Sequence, residues 1–286
     1  MIRENGVNGG TGFLDDMARA SAARVAEAIR HESAGALERR ARTAAPSAPL
    51  RLSAAGFDVI AELKLRSPAA GPLSDANQDW LGRVAAYARG GAAAVSVLTE
   101  PSRFDGSLDH LRQAAAALAP LGVPAMRKDF LVDPYQVLEA RAAGAGGVLV
   151  ILRMLTRPRI EQLLDVAAEH GMFVLLEAFD EVDLAVAHDL MSPRAARGSE
   201  ELILIGVNCR DLRTLKVVNE RFAALAPRLP AGWPAVAESG VAGGSDARRV
   251  QQLGYRLALI GTALMAREAP TQLLRVIFEA TRTVQS

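Results

Sequence analysis

Residues 147–178 read GVLVILRMLTRPRIEQLLDVAAEHGMFVLLEA. A continuous apolar run, Gly147–Leu152, passes into an Arg-, Glu- and Leu-rich stretch of helical length, and a second apolar run, Phe173–Glu177, follows. A strand with one wet face alternates apolar and polar residues, whereas a run that stays apolar is covered on both sides, as in a parallel sheet crossed by helices. The stretch is therefore expected to be a strand, a crossover helix and a second, parallel strand.

The same unit recurs outward in both directions. Strands are expected at Val59–Lys64, Ala93–Leu98, Val123–Arg127, Gly147–Leu152, Phe173–Glu177, Leu202–Asn208, Ala235–Glu238 and Leu257–Gly261, with starts 22 to 34 residues apart and one helix in each spacer. Eight such units match an α/β fold of the (β/α)8 TIM-barrel type, with side chains filling its core and chemistry at the C-terminal strand ends. A doubly wound open sheet is the alternative. No G-x-G-x-x-G follows the first strand, and GVNGGTG at 6–12 lacks both a preceding strand and a Lys-Ser/Thr, so nucleotide-binding folds are disfavoured.

Upstream, Leu14, Met17, Ala18, Val25, Ala28 and Ile29 recur at helical spacing, which predicts one or two amphipathic helices over 13–42. Three segments are expected: a mobile, glycine-rich 1–12, a helical extension over 13–57 that packs on the barrel, and the barrel itself over 58–286.

Composition narrows the class of function. Lys and Arg number 33 against 32 Asp and Glu, so the net charge of +1 offers no broad field for nucleic acid or an acidic membrane. The single cysteine, Cys209, cannot form an intrachain disulfide, no signal-peptide pattern opens the chain, and no apolar run reaches the roughly 20 residues that cross a bilayer. A cytoplasmic enzyme acting on a small molecule is expected. His31, His110, His170 and His188 fall in helical stretches without metal-ligand spacing, so no metal is expected.

Charges end five of the strands: Glu62-Leu63-Lys64, Arg127-Lys128-Asp129, Glu177, Asn208-Cys209-Arg210 and Glu238-Ser239. One strand-end charge is more often a surface ion pair, but five converging on one mouth form a candidate site. Residues two apart share a strand face, so Glu62 and Lys64 should face the axis together, and Cys209 should turn away from Asn208 and Arg210 as a buried structural thiol. In the last two units, Gly240, Gly243, Gly244 and Gly261-Thr262 stand where a barrel can cradle a phosphate on backbone N–H groups.

These residues lie in longer ordered segments: IAELKLRSP at 60–68, VSVLTE at 95–100, FDGS at 104–107, RKDFLVDPYQVLEARAAGA at 127–145, LLEA at 175–178, GVNCRDL at 206–212, AESG at 237–240 and LIGTALM at 259–265. Together they resemble the indole-3-glycerol phosphate synthase family of tryptophan biosynthesis. The resemblance implies a carboxy-lyase that needs no cofactor. Its anionic substrate would be an anthranilate-derived ribulose phosphate, which closes its pyrrole ring and loses carbon dioxide and water. It assigns Lys128 as general acid, with Glu62, Lys64, Glu177, Asn208 and Ser239 as further catalytic residues. Burial beside a second cation is expected to lower the Lys128 pKa toward the working pH, against the opposing effect of an adjacent carboxylate.

The resemblance also implies substrate-binding roles. Arg210 would hold the anthranilate carboxylate, and Phe104, Phe130, Leu149 and Leu212 would wall its ring. Gly240, Gly261 and Thr262 would hold the phosphate, and Ser67, Ser96 and Glu238 are further contacts. Three stretches depart from the family pattern: Ala69-Ala70 where Ser-Lys is usual, GAGG at 144–147, and Val218-Asn219-Glu220 where V-D-L is usual, the last two expected to lie outside the site. The competing readings are a paralogue that binds a phosphate or partner without catalysis, and the isomerase one step earlier. The isomerase would use a cysteine and an aspartate, yet the first strand here ends in Glu-x-Lys.

Overall fold

A computed structural model describes residues 12–54, 56–67, 71–72, 79–196, 202–212 and 214–282. Apart from Gly12, the segment expected to be mobile lies outside the described residues, as do residues 68–70 of the first loop.

Eight parallel strands form the sheet: β1 Asp58–Leu63, β2 Ala94–Leu98, β3 Ala125–Lys128, β4 Gly147–Ile151, β5 Phe173–Ala178, β6 Ile203–Asn208, β7 Ala235–Glu238 and β8 Leu257–Ile260. Each pairs with its sequence neighbours, and β1 pairs with both β2 (Glu62 opposite Ser96) and β8 (Ile60 opposite Leu259), so the sheet closes into a barrel. Closure removes the open-sheet alternative. The continuous apolar runs have the expected cause. One set of alternate residues, including Ile60, Met126, Leu149, Leu175 and Leu204, fills the barrel interior. The other set, including Val59, Leu63, Val95, Val148 and Val150, packs under the helices. Each large aliphatic side chain gains about 1.5–3 kcal/mol by this burial, so both faces stay predominantly apolar until the strand ends, with Ser96 of β2 an exception.

The spacers depart from one helix each. The second unit carries a short helix, Pro101–Phe104, before Leu108–Leu118, and the last carries Thr262–Met265 before Pro270–Thr281. A two-stranded antiparallel hairpin, Arg66–Ser67 with Gly71–Pro72, rises from the loop after β1.

The extension forms two helices, α1 Phe13–His31 and α2 Ala34–Thr43, with Ser33 accepting the Ala36 N–H at the start of the second. Val25, Leu37 and Ala41 form a small core with Tyr135 and Leu138 of the helix Pro134–Ala142. Arg141 extends from that helix and donates to the carbonyls of Ala44 and Ala45. Among the described residues, no helix is long and apolar enough to cross a membrane.

Candidate active site

The C-terminal ends of the strands open into a cavity of about 550 Å³, within the size range of small-molecule sites. Its polar end is built from β1, β3, β5, β6 and β7, the strands that end in charges. Glu62 and Lys64 both face the cavity, with Lys64 Nζ 3.0 Å from Glu62 Oε1. Lys128 Nζ donates to Glu177 Oε2 at 3.2 Å and lies 3.6 Å from Glu238 Oε2. Asn208 donates from Nδ2 to Glu177 Oε1 at 3.2 Å and accepts at Oδ1 from Ser239 Oγ at 3.0 Å and the Arg210 N–H at 2.9 Å. Glu177 is thus clamped on both oxygens, and Lys128, Glu177, Asn208 and Ser239 form one connected chain.

Two glycines create this packing. A Cβ on Gly206 would lie 2.0 Å from Glu238 Oε1, and one on Gly261 would lie 2.3 Å from Glu62 Oε1 and 3.1 Å from Lys64 Nζ. Gly261 therefore gives the Glu62–Lys64 pair its room, besides bordering the cavity. Ser239 and Gly240 turn the chain with φ of 64° and 76°, a sharp reversal in which a serine is unusual.

Charge balance sets the protonation. Burial pushes the Lys128 ammonium toward neutrality, but Glu177, Glu238 and Glu62 together outweigh it and raise its pKa above the ordinary lysine value. The expected lowering is corrected: Lys64 is engaged with Glu62, and three carboxylates surround Lys128. Burial pushes Glu62 up, yet Lys64 and Lys128 overcome this and hold it below the carboxylate range. Glu238 goes the other way. Burial first and the Glu177 charge second raise its pKa well above the ordinary value, against the pull of Lys128. Among the described residues, neither oxygen of its carboxylate has a hydrogen-bond partner.

The apolar end comprises Phe104, Phe130, Leu149 and Leu212, joined by residues the sequence did not single out. Phe13 and Leu14 reach in from α1, and the Phe130 ring meets Phe13 edge-on at 5.8 Å and Phe104 at 6.3 Å. Phe179 lines the wall beneath the Arg153 guanidinium, 4.7 Å from the ring centre. The loop after β6 closes one side; Arg210 lines it, bridges to Val217 across that loop and donates to the Leu215 carbonyl at 2.7 Å. Gly240, Gly261 and Thr262 border the cavity together.

Two expectations need correction, and a third falls outside the described residues. Ser96 does not reach the cavity: it shares the inward face of β2 with Leu98, which does line it, and its fully buried Oγ has no hydrogen-bond partner among the described residues. Asn219, expected outside the site, lines the cavity with Val217, and its unpartnered Oδ1 would meet a Cβ on Gly240 at 2.2 Å. The Ser67 side chain lies outside the described residues. The other fifteen residues expected in the site all line this one cavity.

Cys209 faces away into the layer between strands and helices, where burial pushes its thiol up to about 12. It is no nucleophile for this cavity. Among the described residues, no group of His, Cys, Asp or Glu is arranged to hold a metal ion.

Comparison with known proteins bears on the whole of this arrangement. The family model described as Indole-3-glycerol phosphate synthase matches residues 14–277. The chain is 45% identical over 212 residues to an indole-3-glycerol phosphate synthase of a Nocardioides species, spanning 74% of this chain and 76% of that one. It is 40% identical over 238 residues to the protein of that description from Mycolicibacterium smegmatis, spanning 82% of each. Among solved structures, 3-hexulose-6-phosphate synthase from Salmonella typhimurium superposes with a TM-score of 0.57 at 11% identity, over 78% of this chain and 98% of that one. Orotidine 5'-phosphate decarboxylase from Pyrococcus horikoshii does so with 0.56 at 14%, over 79% and 100%. At such identities these two likenesses show the barrel alone.

Proposed function

The chain belongs to the indole-3-glycerol phosphate synthase family, and we propose from the geometry of its cavity how the residues divide that family's reaction. The reaction converts 1-(2-carboxyphenylamino)-1-deoxy-D-ribulose 5-phosphate to indole-3-glycerol phosphate with loss of carbon dioxide and water. Its chemistry requires an apolar slot for the aromatic ring, a proton donor at the ketone, a cation for the carboxylate and an anion cradle. The apolar and charged ends of the cavity supply these in one space.

In the first step the ring carbon that bears the carboxylate attacks the ketone carbon, and negative charge develops on the ketone oxygen. Lys128 is the donor at that oxygen. Its raised pKa keeps the proton loaded, and because an alkoxide is a stronger base than an amine, the proton still transfers. Glu177, fixed on one oxygen by Lys128 and on the other by Asn208, orients the ammonium and offsets positive charge on the substrate nitrogen.

Arg210 holds the carboxylate beside the apolar wall of Phe104, Phe130, Leu149 and Leu212. Departure of carbon dioxide leaves its bonding pair in the ring, and poor solvation of the carboxylate favours that loss. In the last step the hydroxyl made from the ketone leaves as water, taking a proton from Lys64, while a carboxylate removes the proton on the neighbouring carbon. Lys64 and Glu62, paired at 3.0 Å, are placed for this exchange. Gly240, Gly261 and Thr262 hold the phosphate at the glycine-bearing edge, and Ser239 orients the sugar hydroxyls.

The observation that carries this reading is the Lys128 ammonium set among Glu177, Glu238 and Glu62 beside an aromatic slot. A steady-state assay with the carboxyphenylamino-deoxyribulose phosphate, followed by indole fluorescence, tests it. Turnover at an ordinary enzymatic rate is expected; a folded protein that binds the substrate without turning it over would overturn it.

A further inference from the structure

α1 is tied to the segment that carries Lys128 by more than apolar packing. Arg24, near the middle of α1, donates from Nη2 to Asp129 Oδ1 at 2.7 Å and places Nη1 3.7 Å from Glu100 Oε1. Ser21 Oγ accepts from Gln136 Nε2 at 2.8 Å, and Tyr135 donates its hydroxyl to the Glu32 carbonyl at 2.9 Å. Three residues of one nine-residue segment, 128–136, thus reach α1 or the residue that caps its C-terminus.

The two carboxylates that Arg24 meets are the ones that organise the strand-end loops. Asp129 directly follows Lys128 and also borders the cavity. Its Oδ2 accepts from Thr99 Oγ1 at 2.8 Å and Arg127 Nη2 at 3.1 Å, and its Oδ1 accepts the Phe130 N–H at 2.8 Å. Burial opposes its charge, but Arg127 and Arg24 hold it below the carboxylate range. Glu100 is fully buried and caps the short helix Pro101–Phe104 by accepting from the N–H groups of Ser102 and Arg103. One guanidinium therefore spans the loop after β2, which presents Phe104, and the loop after β3, which begins directly after Lys128 and presents Phe130. Both carboxylates have other partners, so what Arg24 adds is their relative position.

We propose that Arg24 of α1 is a positioning residue for the reaction: by bridging Asp129 and Glu100 it sets the Lys128 ammonium against the ring held between Phe104 and Phe130. This rests on the reading of Lys128 as the proton donor. The guanidinium fork suits two carboxylates on different loops in a way a lysine cannot match. Its side chain is 30% exposed, so its removal leaves a space that a small solute can enter.

Four variants of the full chain test this: Arg24→Ala, Arg24→Lys, Asp129→Asn and the Arg24→Ala/Asp129→Asn double variant, assayed well below their unfolding midpoints. Misplacing a reacting group by about 1 Å costs up to about 100-fold, so Arg24→Ala is expected to lower kcat at least about tenfold while KM rises less than about threefold. Millimolar ethylguanidinium should restore part of that kcat, and the double variant should be no slower than the slower single one. Arg30→Ala, which removes an exposed pair with Glu27 on the same helix, is the control and should match wild type.

Wild-type kcat in folded Arg24→Ala, no response to ethylguanidinium, or losses that multiply in the double variant would overturn the proposal. If Arg24→Ala does not fold, Arg24→Lys decides: a lowered kcat supports the bridge and a wild-type kcat overturns it. Lys128→Ala assayed in parallel separates the two claims. Retained turnover there would remove the reading of Lys128, whereas its loss beside a wild-type Arg24→Ala would remove only the role of Arg24.

Discussion

Glu238 is a buried carboxylate with too few cations around it, and its protonation is a property of the fold rather than of its own sequence neighbours. Its native pKa lies above the ordinary 4.5, so the native state holds this proton more tightly than the unfolded chain. That contribution to stability is fully present below the ordinary value and is lost as pH rises through the raised native one. Glu62 and Asp129 are held low and act in the opposite sense: their contribution is present above ordinary carboxylate values and is lost as pH falls through their native ones. Glu238→Gln, which keeps the shape without the charge, should therefore raise the urea midpoint at pH 8 relative to wild type, with the gain shrinking at pH 5. An equal difference at both pH values would contradict the assignment. At Gly261 the nearest atoms to an added methyl are the far ends of Glu62 and Lys64, so Gly261→Ala should fold normally but lower kcat/KM by up to about 100-fold through displacement of the pair; unchanged kcat/KM in a steady-state assay would refute this. The identity of Lys128 was legible in its motif, but its protonation was not, since the deciding carboxylates come from β1, β5 and β7. Asn219 was set outside the site for a similar reason: only the fold of the loop after β6 brings it beside Gly240.

The strands were the most legible elements. Every one of the eight was anticipated, with ends displaced by at most two residues, because a parallel strand covered on both faces reads as a nearly continuous apolar run up to its mouth. The hairpin after β1 left no such mark, being only two residues per strand. Neither did the reach of α1 into the site: helical periodicity shows that Leu14 and Met17 share an apolar face, not that Phe13 meets Phe130 across 117 positions of chain. That contact makes the extension part of the aromatic wall. An edge-to-face aromatic pair contributes about 0.5–1.5 kcal/mol, so Phe13→Ala should raise KM by about two- to tenfold with kcat less affected. An unchanged KM in the fluorescence assay would place Phe13 outside the bound state. The segment KDFLVDPYQ gains a physical reading at this scale: Lys128, Asp129 and Phe130 border the cavity, while Asp129 and Gln136 also hold α1 and Tyr135 holds the residue just past its end.

At the scale of the molecule, closure is what converts scattered strand-end charges into a site. Local pattern could not separate a closed barrel from an open sheet, since both are built from the same β-α-β units; the distinction is the pairing of β1 with β8 across the length of the chain. Once closed, fifteen of the seventeen anticipated residues line one cavity. On the proposed reading, the net charge of +1 means that the phosphorylated substrate is drawn by a few local cations, Lys64, Lys128 and Arg210, set against Glu62, Glu177 and Glu238. The central claim is that the Lys128 proton drives ring closure in this cavity. Its most direct test is Lys128→Ala in paired measurements of turnover and of substrate binding. Loss of a positioned proton donor typically costs about 10²–10⁴-fold, so kcat should fall by at least that range while the substrate dissociation constant changes less than about tenfold. A folded Lys128→Ala protein with kcat near wild type would contradict the account.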